Sequence, residues 1–187
     1  MGVPGFFSWI YRKYKKNKII LPSLDLEAQC NIDTLYIDAN CLFHPQCFKV
    51  LDIFPQLKDK NKLEKYMMQR IINYIDYLIS LVNPDNVYIS VDGVAPMAKI
   101  NQQRKRRFKS ISDNIIKNSI LDKHKIKHTD IWSNTCITPG TEFMEKLHEN
   151  ILSYIHIMAG KKRIIYSSYH TNGEGEHKIL QHIKNNN

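Results

Sequence analysis

Residues 87–108 run Val87-Tyr88-Ile89-Ser90-Val91-Asp92-Gly93-Val94-Ala95-Pro96-Met97-Ala98-Lys99-Ile100-Asn101-Gln102-Gln103-Arg104-Lys105-Arg106-Arg107-Phe108. The first five are β-branched and aromatic residues of the kind that fill a buried strand. A carboxylate, Asp92, closes that strand, and a densely basic helix follows over 97–109. A carboxylate holds a divalent metal and a cationic helix holds a phosphate. Their adjacency points to chemistry on a phosphodiester. At about 3.6 residues per turn, Lys99, Gln103 and Arg106 share one face of the helix and Arg107 sits at its edge. Ile100, Phe108 and Ile111 fall on another face and are expected to dock on the protein. Arg suits phosphate because its planar fork donates hydrogen bonds in pairs.

Two more segments repeat the pattern of a strand followed by an acid. Thr34-Leu35-Tyr36-Ile37-Asp38 is a β-rich run ending in a carboxylate. Arg163-Ile164-Ile165-Tyr166-Ser167 is a third strand, followed by Gly173-Glu174-Gly175-Glu176-His177 at the start of a last helix with Ile179, Leu180 and Ile183. Between them, Leu63, Met67, Ile71, Ile75, Leu78 and Val82 recur at helical spacing until Asn83-Pro84 stops the helix. Residues 5–15 read as a short amphipathic helix. Residues 110–130, polar and rich in Lys and His, read as a mobile helix extension or loop. Thr138-Pro139 reads as an N-cap with Pro in the first helical position, ahead of Phe143, Leu147, Ile151, Ile155 and Met158.

Strands alternating with helices predict an α/β fold with a mostly parallel sheet flanked by helices. In such sheets ligands bind beyond the carboxyl ends of the strands. Asp38, Asp92, Glu174 and Glu176 are therefore expected at one rim. An acid after a strand also serves turns and caps, and acids at a helix start favour the dipole without any metal.

The 187 residues suffice for one domain, 1–187, with a core. A net charge of +9 favours an anionic partner, nucleic acid before an acidic membrane. No stretch reaches the roughly 20 apolar residues of a spanning helix. No signal peptide is visible, and Cys30, Cys41, Cys47 and Cys136 do not look like a disulfide framework, so a reducing compartment is expected. Cys41, His44 and Cys47 lie close together, but their spacing matches no known zinc finger and no fourth ligand is placed.

In order and across the chain, five motifs resemble the Xrn family of 5′→3′ exoribonucleases. They are Met1-Gly2-Val3-Pro4-Gly5-Phe6-Phe7, Leu35-Tyr36-Ile37-Asp38-Ala39-Asn40 through His44, the Asp92-to-Phe108 block, Ile137-Thr138-Pro139-Gly140-Thr141-Glu142-Phe143-Met144, and Gly173-Glu174-Gly175-Glu176-His177-Lys178-Ile179. The resemblance implies a PIN/FEN-like nuclease core whose carboxylates hold two Mg²⁺ or Mn²⁺ ions. It makes Asp38, Asp92, Glu174 and Glu176 the catalytic metal ligands. Lys99, Gln103, Arg106 and Arg107 become the pocket for a 5′-monophosphate, and His44 a contact to the first nucleotide. The implied substrate is single-stranded RNA, the implied role RNA decay or processing, and the compartment the cytoplasm, with the nucleus as alternative.

The chain departs from the family pattern in places. Met97 stands where Arg is usual, Cys41 where Gly is usual, and Asn172 where Pro is usual. The family continues with a further acidic strand and a second conserved region. The expectation is accordingly the N-terminal portion of such an enzyme. The alternative is a catalytically incomplete RNA-binding fragment that waits for a missing C-terminal half or partner chain.

Overall fold

A computed structural model of the protein describes residues 5–14, 32–126 and 131–186. Two units are distinct, residues 1–31 and 32–187. In the first, helix α1 (Phe6–Tyr14) stacks Phe6 on Trp9 and Phe7 on Tyr11 and sets the Lys13 ammonium over the Trp9 ring. The Met1-Gly2-Val3-Pro4 start and Cys30 lie outside the described residues.

The second unit is built on three parallel strands in the order β1 (Thr34–Asp38), β2 (Asn86–Ser90), β3 (Arg163–Ser167). Register puts Asp38 beside Ser90 and Ser90 beside Ser167, so all three strands end at one rim. β2 is central, and Val87, Tyr88, Ile89 and Ser90 are all buried. That explains its unbroken apolar run, because a parallel strand covered on both faces has no polar side to alternate with.

Helices α2 (Ala39–Ile53) and α3 (Lys60–Val82) connect β1 to β2 and pack on each other. α3 buries Leu63, Met67, Met68, Ile71, Ile75 and Ile79. Asp59 caps its start by accepting the Lys62 N–H, and Asn83 ends it in the left-handed conformation with φ 47°. Two polar side chains that the core buries are paired, whereas the Trp132 indole N–H is buried without a partner. Gln46 accepts from Arg70 Nε, and Glu64 binds Lys146 Nζ at 2.9 Å. α5 (Glu142–Met158) closes the core with Phe143, Met144, Leu147 and Ile151.

Of the two alternatives for 110–123, the helix extension is the one formed: α4 runs from Met97 to Lys123, with no Gly or Pro to interrupt it. Two sequence expectations are corrected. First, α4 has no buried residue at all. Phe108 and Ile111, expected to dock on the protein, are 65% and 46% exposed. Second, the cap of α5 is Thr141, whose Oγ1 accepts the Met144 N–H, and the helix starts at Glu142. Thr138 spends its hydroxyl on the Thr135 carbonyl, in the turn after a 3-10 segment at Asn134–Cys136.

The last helix, α6 (Gly175–Asn186), lies on β1 and β2. His182 meets the rings of Tyr36 and Tyr88 there and shares a hydrogen bond with the Tyr36 hydroxyl. Leu180, on the same helix, is 62% exposed. The sheet, its order and its flanking helices have the architecture of a PIN-like nuclease core.

Candidate active site

The rim of the sheet is organised around the start of α6. Asp92 lies two residues past the end of β2, and its Oδ1 accepts the Gly175 N–H at 2.6 Å. A carboxylate thus sits on a helix N-terminus, where free N–H groups and the dipole favour negative charge. The Asp92 N–H is itself fixed by Asn40 Oδ1 at 2.9 Å. Asp38 ends β1 at the N-cap position of α2, yet makes no capping hydrogen bond. Its Oδ2 accepts from the Cys41 thiol at 3.4 Å, while Oδ1 is buried with no partner.

Gly175 records how closely these groups approach. A Cβ added there would lie 2.8 Å from Asp38 Oδ1 and 3.4 Å from Asp92 Oδ1. Only a residue without a side chain lets two carboxylates reach the helix backbone together. Gly93 does the same for the loops. A Cβ on it would lie 2.0 Å from the Thr171 carbonyl oxygen. The Gly93 N–H donates to Gly173 O, and the Gly173 N–H donates to Val94 O. The segment after Asp92 and the segment before Glu174 are therefore laced together.

Electrostatics follow from this crowding. Burial holds the Asp38 carboxyl above the usual 3.8, and the charges of Asp92 and Glu176 push it the same way. Burial likewise raises the Cys41 thiol to about 11, helped by Asp38. His44, half-buried on α2, is held below its usual 6.5 by burial, with Asp92 pulling in the other direction. The common environment of Asp38, Asp92 and Glu176 is a negative pocket, and His44 and Cys41 border it.

The cationic side meets this pocket at one contact. Lys99 Nζ lies 2.6 Å from Glu174 Oε2, and both side chains are mostly buried. Glu174 raises the Lys99 ammonium, and Lys99 lowers the Glu174 carboxyl. One turn further along α4, Arg107 donates to Gln103 Oε1 at 3.4 Å. Arg106 is exposed and close enough for its charge to oppose that of Lys99. The expected helical face is thus present, with its first member turned to the acids.

Sequence reasoning passed over Asn40, Lys178 and the two close-approach glycines. Lys178 is buried at 8% exposure and donates to Val91 O at 2.7 Å and Ser168 O at 2.9 Å. It ties the ends of β2 and β3 behind Asp92. Burial lowers its ammonium, and Asp92 opposes that. The Gly-Glu-Gly-Glu spacing was the available signal for Gly175, and the Asp-Gly step was the signal for Gly93. Nothing in one sequence singles out Lys178 among so many lysines.

The donor set is one of hard oxygens, and an orphaned buried carboxylate oxygen sits at its centre. This chemistry fits Mg²⁺ or Mn²⁺. Among the described residues, though, no three His, Cys, Asp or Glu side chains converge closely enough to grip an ion as they stand. Glu174, the acid that would add to them, is engaged by Lys99.

The whole chain, residues 1–187, matches the family model described as XRN 5'-3' exonuclease N-terminus. It is 35% identical over 223 residues to 5'-3' exoribonuclease 2 of Gallus gallus, covering 98% of this chain and 22% of that protein. It is 36% identical over 193 residues to 5'-3' exoribonuclease 1 of Saccharomyces cerevisiae, covering 98% and 12%. It is 35% identical over 196 residues to 5'-3' exoribonuclease 1 of Homo sapiens, covering 98% and 11%. The chain therefore spans less than a quarter of the length of these relatives. With the acids at one rim and the basic helix beside them, the match over every residue establishes that the chain belongs to the XRN 5'-3' exonuclease N-terminal family.

Proposed function

We propose that the chain carries the active-site portion of a 5′→3′ exoribonuclease acting on single-stranded RNA with a 5′-monophosphate. The observation that carries this reading is the Lys99–Glu174 contact, which brings the cationic face of α4 to the acidic rim. Asp38, Asp92, Glu174 and Glu176 are the residues that would hold divalent metal. Bound Mg²⁺ or Mn²⁺ supplies an activated water and charge stabilisation of the leaving oxygen.

The chain's own residues do the rest. Lys99, Gln103, Arg106 and Arg107 bind the terminal phosphate as two or three charges plus an amide, which measures cleavage from the 5′ end. His44 touches the first nucleotide and stays neutral through burial, so it offers a ring for contact and no competing charge to the metal. Unpaired bases stack without sequence preference, which suits a single strand. A reducing compartment, the cytoplasm before the nucleus, fits the three described cysteines, all of them free thiols. No helix among the described residues is long and apolar enough to cross a membrane.

A second reading has one observation in its favour. No three described side chains form a finished metal site. On that reading the chain binds RNA 5′ ends and turns over only with carboxylates supplied by further sequence or a partner chain. One experiment separates the two. Incubate the protein with 5′-monophosphorylated and 5′-hydroxyl single-stranded RNA, with Mg²⁺ and with EDTA. Mg²⁺-dependent loss of the phosphorylated RNA, abolished by Asp92→Ala, supports the enzyme. Phosphate-dependent binding that Arg106→Ala weakens, without turnover, supports the binding module. Unchanged degradation by the Asp92→Ala protein overturns the assignment of this site.

A further inference from the structure

Glu174 stands in two roles at once. As a rim carboxylate it belongs to the metal-binding acids, yet its Oε2 is held 2.6 Å from Lys99 Nζ. Lys99 in turn heads the phosphate-binding face of α4. Each group is thus the other's partner before any ligand arrives. Both side chains are well covered, at 16% and 13% exposure, so solvent screens the pair only partly. The loop of Glu174 is anchored by the Gly93–Gly173 and Gly173–Val94 hydrogen bonds, so the pair cannot drift apart at no cost.

We infer that Lys99 is a specificity-determining residue that couples the two sites: a terminal phosphate takes its charge, frees Glu174, and so completes the metal site only on a 5′-phosphorylated end. This rests on the functional reading above. The physics is competition for one positive charge. An ammonium has three donors and can touch both groups, but a carboxylate and a phosphate that share a single charge repel each other. The phosphate also has Gln103, Arg106 and Arg107 to hold it, whereas Glu174, next in the chain to the Gly175 N–H that donates to Asp92, loses Lys99. A divalent cation is what then satisfies it. A 5′-hydroxyl end has no anion to draw Lys99 away, so Glu174 stays engaged by Lys99. Discrimination against 5′-hydroxyl RNA would come from metal assembly as well as from lost phosphate contacts.

Linkage makes the inference measurable without turnover, because coupling between two ligands is reciprocal. The probes are Mn²⁺, followed as free ion by electron paramagnetic resonance, and uridine 5′-monophosphate beside uridine. Mn²⁺ bound by the nucleotide alone is subtracted. In the native protein, saturating uridine 5′-monophosphate is expected to tighten Mn²⁺ about fivefold or more, within the range of ordinary couplings. Mn²⁺ should tighten the nucleotide by the same factor, and uridine should do nothing. Lys99→Met should tighten Mn²⁺ in the absence of nucleotide and bring the coupling near one. Glu174→Gln should tighten the nucleotide in the absence of metal. Native binding of both ligands without coupling overturns the inference and leaves the functional reading intact. So does coupling that persists in Lys99→Met at saturating nucleotide. Failure of the native protein to bind either ligand overturns both.

Discussion

Two regions of this chain both carry charged residues and have opposite structures. At the rim, the groups around Asp92 are held on every side. Asn40 fixes its N–H, Gly175 donates to its carboxylate, and Lys178 bridges the carbonyls just behind it. Along the distal half of α4, by contrast, Phe108, Ile111, Ile115, Ile116 and Ile120 are all more than 45% exposed. The first region is set by close approach and hydrogen-bond geometry, and the second mainly by local helix formation, with the Ser110 hydroxyl donating to Asn134 Oδ1 near its start. The difference teaches where a substitution is felt. At the rim, one methyl group displaces backbone. On distal α4, a whole side chain touches almost nothing.

The largest effect is expected at Gly93. An alanine Cβ would overlap the Thr171 carbonyl, a backbone atom that cannot rotate away. The two hydrogen bonds that lace residues 93–94 to Gly173 would have to open. Gly93→Ala should cost at least about 2 kcal/mol by urea unfolding, the upper part of the usual overpacking range. A Gly93→Ala protein as stable as the parent would mean the rim is as yielding as α4, and the contrast would fail.

What the sequence made legible follows the same division. The strands and their terminal acids were readable because β-branched runs and strand-end carboxylates are local patterns. The cationic face of α4 was readable from helix period alone. Its exposure was not. The polar composition of 110–123 left helix extension and loop both open, and the absence of Gly and Pro from 97 to 123 decides for the helix. α2 went unassigned because Pro45 lies inside it and Gln46 is buried on its core face, which blurs the apolar period. The Lys99–Glu174 pair joins residues far apart in sequence, and no spacing rule reaches that far. Thr138-Pro139 carried a plausible capping signal, but the helix starts three residues later, where the Thr141 hydroxyl accepts the Met144 N–H.

A middle-sized effect sharpens the comparison electrostatically. Asp38 is held above 3.8 by burial and then by its acidic neighbours, so folding favours its protonated form. Its contribution to stability is full below 3.8 and is lost as pH rises through the higher folded value. Glu174 has the opposite sign. Lys99 lowers its carboxyl, so its contribution is present above the usual 4.5 and is lost as pH falls through the lower folded value. Asp38→Asn, which keeps shape and removes charge, should therefore raise metal-free stability at neutral pH by about 1 kcal/mol, an ordinary single-substitution size. The gain should vanish in acid, where the native aspartate is already protonated. Denaturant midpoints at the two pH values give the result. A gain of equal size at both would assign the effect to packing instead of charge.

The smallest effect is expected on distal α4, and it tests the other half of the contrast. Ile115 is 66% exposed, so replacing it with serine removes little buried area. Serine is also only modestly worse than isoleucine in a helix, and Ser112 already bonds back to the Phe108 carbonyl without ending this one. Ile115→Ser should stay within about 0.5 kcal/mol of the parent, as surface changes do. The same helical period on α3 gives the reference. Ile71 is fully buried there, and Ile71→Ala should cost about 2–5 kcal/mol. If Ile115→Ser proved as costly as Ile71→Ala in the isolated protein, the exposed face of α4 would have to be covered in solution. The comparison would then be between two packed regions, not between a packed and an open one.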